Sequence, residues 1–252
     1  MRSYKFIIYD VFQYIFHFFI EKNLIEKIHS PSMRRDLDKD QIPQISEDFI
    51  KPGLLINFFK PNIQFIRHAK QLSSRANELV EIFIKLRDSL KINDPQSIST
   101  RTGAGFFINT ESYNSKNFNR DFIIEIIDFD PVRNNLMVIG NAPPASDAVL
   151  HWFIYRGLPW INGIININDS EIFKRFSSCS YPVVEDNKNI LNTELALNIL
   201  KCIKTSEISL LKWQGILIVG KTISETYDIF KKDLEKLSNK KTKTQLGVKH
   251  EN

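Results

Sequence analysis

A short apolar strand carrying two asparagines, Gly163–Ser170, constrains the fold of this chain most strongly. It reads Gly-Ile-Ile-Asn-Ile-Asn-Asp-Ser and follows a short helical stretch, Ala148–Arg156. Side chains alternate along a strand with period two, so Asn166 and Asn168 are predicted to share one face. A His-x-His pair would present two metal ligands in this way, but both residues here are amides.

Short strands and helices surround this stretch without strict alternation. This pattern predicts an α/β fold, namely a three-layer α/β/α domain with a central, largely antiparallel sheet. The predicted strands are Phe106–Ile108, Phe122–Ile127, Leu136–Ile139, Ile161–Ile167, Ile208–Lys212 and Gly215–Val219. The predicted helices are one that Pro61 opens and that runs to about residue 90, and Ala148–Arg156, Asn192–Lys204 and Thr222–Leu237. Thr222 or Ser224 is expected to cap the last helix.

Residues 1–50 are predicted to form an amphipathic helix and a charged linker. Phe6–Ile20 is dense in aromatic and aliphatic residues but too short to span a membrane, which takes about 20 apolar residues. Its apolar face is expected to dock on its own domain, on a neighbouring subunit or on a protein partner. An interfacial membrane helix is the alternative, and it is disfavoured because the polar face is not rich in lysine or arginine.

The net charge of +5 lies mainly near the C-terminus, where lysines predominate. Residues 238–252 are predicted to be a basic, disordered tail, solvated or bound to an acidic partner. The rest of the chain has no basic stripe interleaved with aromatic residues, so a specific nucleic-acid partner is not expected. Cys179 and Cys202 form no CxxC motif. Two isolated cysteines favour a reducing, cytoplasmic setting over a disulfide framework or a cysteine zinc site.

Four segments resemble motifs of the class II aldolase/adducin family, in the same order. The family motifs are Gly-Asn-(Ile/Leu)-Ser-x-Arg, Ser-Ser-Glu-x-x-x-His-x-x-Ile-Tyr, Val-Val-His-x-His-Ser and Asn-His-Gly-x-x-x-x-Gly. The matching segments are Gln96–Arg101 with Gly105–Ile108 after it, Ala145–Tyr155, Gly163–Ser170 and Leu211–Gly220. The resemblance implies a class II aldolase-like domain over residues 51–237.

In the family's enzymes three histidines hold a divalent metal, typically zinc, beside the substrate carbonyl. The matching positions here are Asn166, Asn168 and Gln214. Zinc prefers imidazole nitrogen or thiolate, whereas an amide oxygen is a neutral, hard ligand. The resemblance therefore predicts a degenerate metal site, with the family's zinc absent and no other cofactor.

The family's acid/base glutamate is matched by Asp147, whose side chain is one methylene shorter. As a catalytic residue it would take or give a proton within hydrogen-bond distance of a substrate. The alternative, and the favoured reading, is that Asp147 caps the helix that it opens.

The family's phosphate pocket is altered as well. Ser97, Ser99 and Thr110 retain hydroxyl groups, and Ser146 matches a serine of the Ser-Ser-Glu motif. Glu111 would repel a phosphate, whereas the hydroxyls of Ser97, Ser99 and Thr110 can still donate hydrogen bonds, which leaves a neutral polar ligand open. His151 and Tyr155 match family positions too, but both are expected to be satisfied core or interface residues.

Two functions remain open from the sequence. The first is a pseudoenzyme of the class II aldolase type, which has lost zinc chemistry and acts in binding or assembly. The alternative is an aldolase-like lyase or isomerase acting on a small sugar or hydroxy-acid, with Asp147 as acid/base and a weak or absent metal. In either case the resemblance implies a homo-oligomer such as a tetramer.

Overall fold

The computed structural model describes most of the chain from Pro61 onwards. The described residues are 61–67, 74–90, 97–113, 115–131, 133–185, 193–212 and 215–247. The predicted N-terminal helix, the charged linker and Gln214 lie outside these ranges.

A nine-stranded sheet runs through the described part of the chain. Its strands are β1 (Asn62–Arg67), β2 (Ser97–Arg101), β3 (Phe106–Asn109), β4 (Ile123–Asp130), β5 (Asn135–Ile139), β6 (Gly163–Ile167), β7 (Val183–Val184), β8 (Ile208–Leu211) and β9 (Gly215–Gly220). They lie in the order β1-β5-β4-β3-β2-β6-β9-β8-β7. The outermost pairs, β1–β5 and β7–β8, are parallel, and the inner pairs are antiparallel. The sheet is therefore mixed: its inner pairs are antiparallel, as predicted, and the two parallel pairs lie at its ends.

Helices cover both faces of this sheet. They are α1 (Ser74–Leu90), α2 (Ala148–Gly157), α3 (Ser170–Phe176), α4 (Thr193–Thr205) and α5 (Ile223–Gly247), with short 3-10 turns at Ser115–Asn117 and Arg120–Phe122. The helices α2 and α4 share one hydrophobic core with the sheet, and α1, α3 and α5 share the other. This arrangement is the predicted three-layer α/β/α architecture.

The strand β6 shows how the sequence builds two cores. Ile164 packs in the core on the α2 side, whereas Ile165 and Ile167 pack in the core on the α5 side. Because side chains alternate, Asn166 faces the α2 side with Ile164. A strand buried on both faces reads as an almost continuous apolar run, and β6 has that pattern except at Asn166.

The helix α5 lies unusually close to β6 at Gly163. A Cβ at this position would lie 2.6 Å from both the Cα and the backbone nitrogen of Ile223. Thr222 caps α5, since its Oγ1 accepts the backbone N–H of Glu225 at 3.0 Å, as the sequence predicted. The absence of a side chain at Gly163 therefore allows α5 to pack this closely on β6.

The prediction of a helix that begins at Pro61 is wrong over the first part of that segment. Residues 62–67 form β1, which pairs in parallel with β5, and the described helix α1 spans Ser74–Leu90. The apolar rhythm alone favoured a helix, but the backbone of this segment pairs with β5, a strand that comes later in the chain. From Ser74 to Leu90 the helical rhythm is confirmed, with Leu79, Phe83 and Leu86 fully buried.

The last helix is longer than its sequence suggests. It was predicted to end at Leu237 but continues to Gly247, so it overlaps the first part of the predicted tail, 238–252. Among the described residues, no helix is long and apolar enough to cross a bilayer.

Candidate functional site

The candidate site lies in the middle of the sheet, where β2 pairs with β6 and the start of α2 packs over both. Ser97 is directly opposite Asn166 in this pairing, and both side chains are completely buried. Asp147 approaches them from the N-terminus of α2. Its Oδ2 accepts a hydrogen bond from Ser97 Oγ at 2.5 Å and another from Asn166 Nδ2 at 2.8 Å. Strand register and helix position thus unite three residues that are distant in sequence.

His151 extends this cluster one turn along α2. Its Nε2 lies 3.0 Å from Ser97 Oγ. The single hydroxyl hydrogen of Ser97 goes to the Asp147 carboxylate, so Nε2 must carry the proton that it shares with Ser97. On the other side of the ring, Nδ1 lies 2.7 Å from Ser99 Oγ, which in turn lies 2.8 Å from Tyr155 Oη. A hydroxyl can donate or accept, so Ser99 matches either protonation state of Nδ1.

The cluster keeps Asp147 ionised although it is buried. Burial by itself would raise the pKa of this carboxyl. The attraction of His151, whose Nε2 lies 3.4 Å from Oδ2, and the hydrogen bonds from Ser97 and Asn166 outweigh burial and hold the pKa below its ordinary value. Burial raises the pKa of Tyr155, so its phenol stays neutral. The site therefore holds an ionised carboxylate inside a hydrogen-bonded network.

The favoured reading of Asp147 as a helix cap is wrong. Asp147 occupies the N-cap position of α2, but its side chain makes no capping hydrogen bond. The carboxylate turns instead to Ser97 and Asn166, which offer it two donors in a buried setting. A hydrogen bond to a charged group is stronger where water is excluded. The carboxylate is therefore more stable bound to Ser97 and Asn166 than to the backbone N–H groups at the start of α2.

The remaining predicted pocket residues are dispersed. The hydroxyl of Thr110 is buried and donates to the backbone oxygen of Ser112 at 2.9 Å. Ser146 is exposed at the surface beside Asp147. Asn168 is also exposed, because β6 ends at Ile167 and the strand alternation stops there. The structure thus unites Ser97, Ser99, Asp147 and Asn166, and leaves Thr110, Ser146 and Asn168 outside their hydrogen-bond network.

The core role predicted for His151 is confirmed, since the ring is fully buried and both nitrogens lie against serine hydroxyls. Sequence reasoning missed Asn109, which is also fully buried. Its Oδ1 accepts the backbone N–H of Ile98 at 2.8 Å and so fixes β2 next to the site. Asn109 follows three apolar residues at the end of a predicted strand, and that position was the only signal in the sequence.

A metal has few suitable ligands in the described site. No group of three or more histidine, cysteine, aspartate or glutamate side chains is placed to hold an ion within the described residues. His151 already has a serine at each ring nitrogen, and Asn166 turns its amide nitrogen to Asp147. The described site offers one imidazole and one carboxylate, both already hydrogen-bonded, whereas a zinc site takes three or four such ligands, so this donor set does not fit zinc.

No protein-family profile and no curated sequence matches the chain. Solved structures, however, share its fold. An L-fuculose 1-phosphate aldolase is similar with a TM-score of 0.56 at 17% identity, over 70% of this chain and 89% of that protein. An L-fuculose-1-phosphate aldolase from Thermus thermophilus gives 0.54 at 16% identity, over 71% and 99%.

An aldolase II superfamily protein from Pseudomonas syringae is similar as well, with a TM-score of 0.52 at 12% identity, over 70% of this chain and 78% of that protein. Identities this low establish the fold alone. The chain therefore has the α/β fold of the class II aldolases.

Proposed function

We propose that this chain is a binding or assembly protein that uses the class II aldolase fold without its zinc-dependent chemistry. One observation carries the proposal: Asn166 Nδ2 donates to Asp147 Oδ2 at 2.8 Å. By the resemblance described above, position 166 matches a metal ligand and position 147 matches the acid/base. Here the two side chains bind each other, and each is thereby withdrawn from the role that its position has in the enzymes.

The surroundings of this pair support the same conclusion. A metal-activated proton transfer needs a carboxylate that can reach the substrate and a cation that polarises the carbonyl. Asp147 is 7% exposed and already accepts two hydrogen bonds on one oxygen. Replacing zinc ligands by amides leaves no imidazole free to take the metal at the described positions.

Metal analysis of the purified full-length chain tests this proposal. We expect less than stoichiometric zinc and manganese by elemental analysis, and no cleavage of a panel of aldol donors. The variant Asn166→His/Asn168→His/Gln214→His is the matched control, because it restores the family's ligand types and is expected to gain zinc. Stoichiometric zinc in the unaltered chain would overturn the proposal.

A second candidate function rests on a different observation. Asp147 is held ionised, and its Oδ1 accepts no hydrogen bond from any described residue. An ionised carboxylate with one unpaired oxygen is the chemical requirement of a general base. A lyase or isomerase acting on a small sugar or hydroxy-acid would show turnover that disappears in Asp147→Asn. Absence of turnover with and without added Mg²⁺ or Mn²⁺ would eliminate this candidate.

The assembly part of the proposal concerns oligomeric state. Family enzymes are commonly tetramers, so we expect a homo-oligomer, with the N-terminal segment as the partner-binding element. Multi-angle light scattering of the full-length chain measures its oligomeric state. The same measurement on a chain lacking residues 1–50 tests whether the N-terminal segment is needed for assembly. A monomer in both cases would contradict assembly and leave binding as the function.

A further inference from the structure

Two buried oxygens at the site accept no hydrogen bond from the described residues. They are Asp147 Oδ1 and Asn166 Oδ1. Buried polar atoms in folded proteins are almost always paired, and an unpaired one indicates strain, an ordered water or a missing ligand. Both atoms belong to side chains that are more than nine-tenths buried and already bonded to each other. Two such atoms in one cluster point to a common cause.

The orientation of the Asn166 amide makes this pattern specific. Its nitrogen is held against Asp147 Oδ2, so its oxygen must point elsewhere. Turning the amide over would bring its oxygen against the carboxylate, which is repulsive. The site therefore offers acceptors, and its missing partner must be a hydrogen-bond donor.

The nearby hydroxyls are not available to an anion. Ser97 donates to Asp147, Thr110 donates to the Ser112 carbonyl, and Ser99 is shared between His151 and Tyr155. A phosphate or carboxylate needs converging donors, which this cluster has already used internally. The negative charge of Asp147 disfavours an anion further.

The site lies next to exposed residues of the described chain. Asp147 keeps 7% of its surface exposed, and its chain neighbour Ser146 is exposed. Asn168, which follows the end of β6 two residues after Asn166, is exposed too.

We propose that Asp147 and Asn166 bind the O–H or N–H groups of a small, unphosphorylated polyol or amino alcohol. This inference rests on the proposed function, because it assigns a ligand to the same site once zinc chemistry is gone. Such a site selects neutral or cationic donors, whereas a phosphate pocket selects an anion.

Ligand-observed NMR on the full-length chain tests the inference with three probes. Erythritol supplies hydroxyl donors alone, ethanolamine adds an ammonium group, and inorganic phosphate is the anion. We expect saturation transfer to erythritol, ethanolamine or both, and no broadening of the phosphate ³¹P signal. Asn166→Ala should weaken binding by about tenfold, since it removes one acceptor. Asn168→Ala is the matched control and should leave binding unchanged.

Three results would overturn the inference: no transfer to either donor, phosphate broadening that Asn166→Ala abolishes, or equal binding by Asn166→Ala. If Asn166→Ala does not fold, crystals of the unaltered chain are soaked with whichever probe binds in solution, and the structure shows whether that probe lies at the site. A probe donor on Asp147 Oδ1 or Asn166 Oδ1 supports the inference, and a water alone on these oxygens overturns it. Because metal content is measured on the same sample, stoichiometric zinc identifies failure of the proposed function. Zinc-free protein that binds neither donor identifies failure of this inference alone.

Discussion

The carboxylate of Asp147 is a buried hydrogen-bond acceptor shared by Ser97 and Asn166. Its position in the sequence is equally compatible with a helix cap or a catalytic base. Ser97 lies 50 residues earlier in the chain, so nothing local to Asp147 signals the contact. The residue types of this site were predictable from the sequence, but their mutual contacts depend on strand register.

The lowered pKa of Asp147 predicts a specific pH dependence of stability. A carboxyl with a depressed folded pKa stabilises the fold above its unfolded pKa of about 3.9, and this contribution is lost as pH falls through the folded pKa. We therefore expect the unaltered chain to be more stable than Asp147→Asn near neutral pH. The difference should shrink as the pH is lowered below about 4.

Urea unfolding of both proteins between pH 3 and pH 7 measures this difference. Parallel stability curves for the two proteins across the whole range would show that the carboxylate charge does not contribute.

At the scale of elements, close packing of α5 on β6 depends on Gly163. A methyl group there would meet the backbone of Ile223 at 2.6 Å, so Gly163→Ala must displace the helix or the strand. We expect a loss of about 1–3 kcal/mol in the free energy of unfolding, the usual cost of overpacking. Gly103→Ala is the matched control, because a Cβ at Gly103 would meet nothing within 4 Å. Equal stability of the two variants in urea titrations would contradict close packing.

The short helix α3 provides a test of local capping. Asp169 Oδ1 accepts the backbone N–H of Ile172 at 2.8 Å, which fixes the first turn. Asp169→Ala should lower the free energy of unfolding by about 0.5–2 kcal/mol. The preceding residue, Asn168, is exposed, and Asn168→Ala should change stability by less than about 0.5 kcal/mol. If the two variants unfold at the same denaturant concentration, the cap contributes nothing.

Elements with strong apolar patterning were predictable from the sequence. The strands β3, β5, β8 and β9 and the helices α2 and α4 lie within one or two residues of their predicted bounds. The strand β2 was missed because Ser97, Ser99 and Thr100 are polar, although all three are buried. Their burial is tolerated because each hydroxyl has a partner from elsewhere in the chain. His151 contacts both serine hydroxyls, and the backbone carbonyl of Asn162 accepts the hydroxyl hydrogen of Thr100.

For the domain as a whole, one sheet joins two hydrophobic cores. Phe83 is completely buried in the α1 side core, where its ring stacks on Phe118 with centroids 3.6 Å apart. Trp152 and Trp160 pack against the opposite core. Phe83→Ala should cost about 3–5 kcal/mol of stability. Because the sheet is shared, we expect tryptophan fluorescence to report the same shifted unfolding midpoint as far-UV circular dichroism.

A fluorescence midpoint that stays at the value of the unaltered chain while the circular dichroism midpoint falls would show that the two cores unfold separately. A second substitution of similar size on the α2 side, Ile154→Ala, would then identify which signal follows which core, since Ile154 is fully buried there.

The central position of β2 also has a consequence for how the chain is synthesised. During translation, at about 5–20 residues per second, β2 emerges several seconds before its neighbour β6 exists. In that interval the Ser97 and Ser99 hydroxyls have no partner on α2 or β6, and closing such a long loop is slow. The hydrogen-bonded network therefore cannot form until β6 has been synthesised, so its presence reports that strands far apart in the sequence have paired.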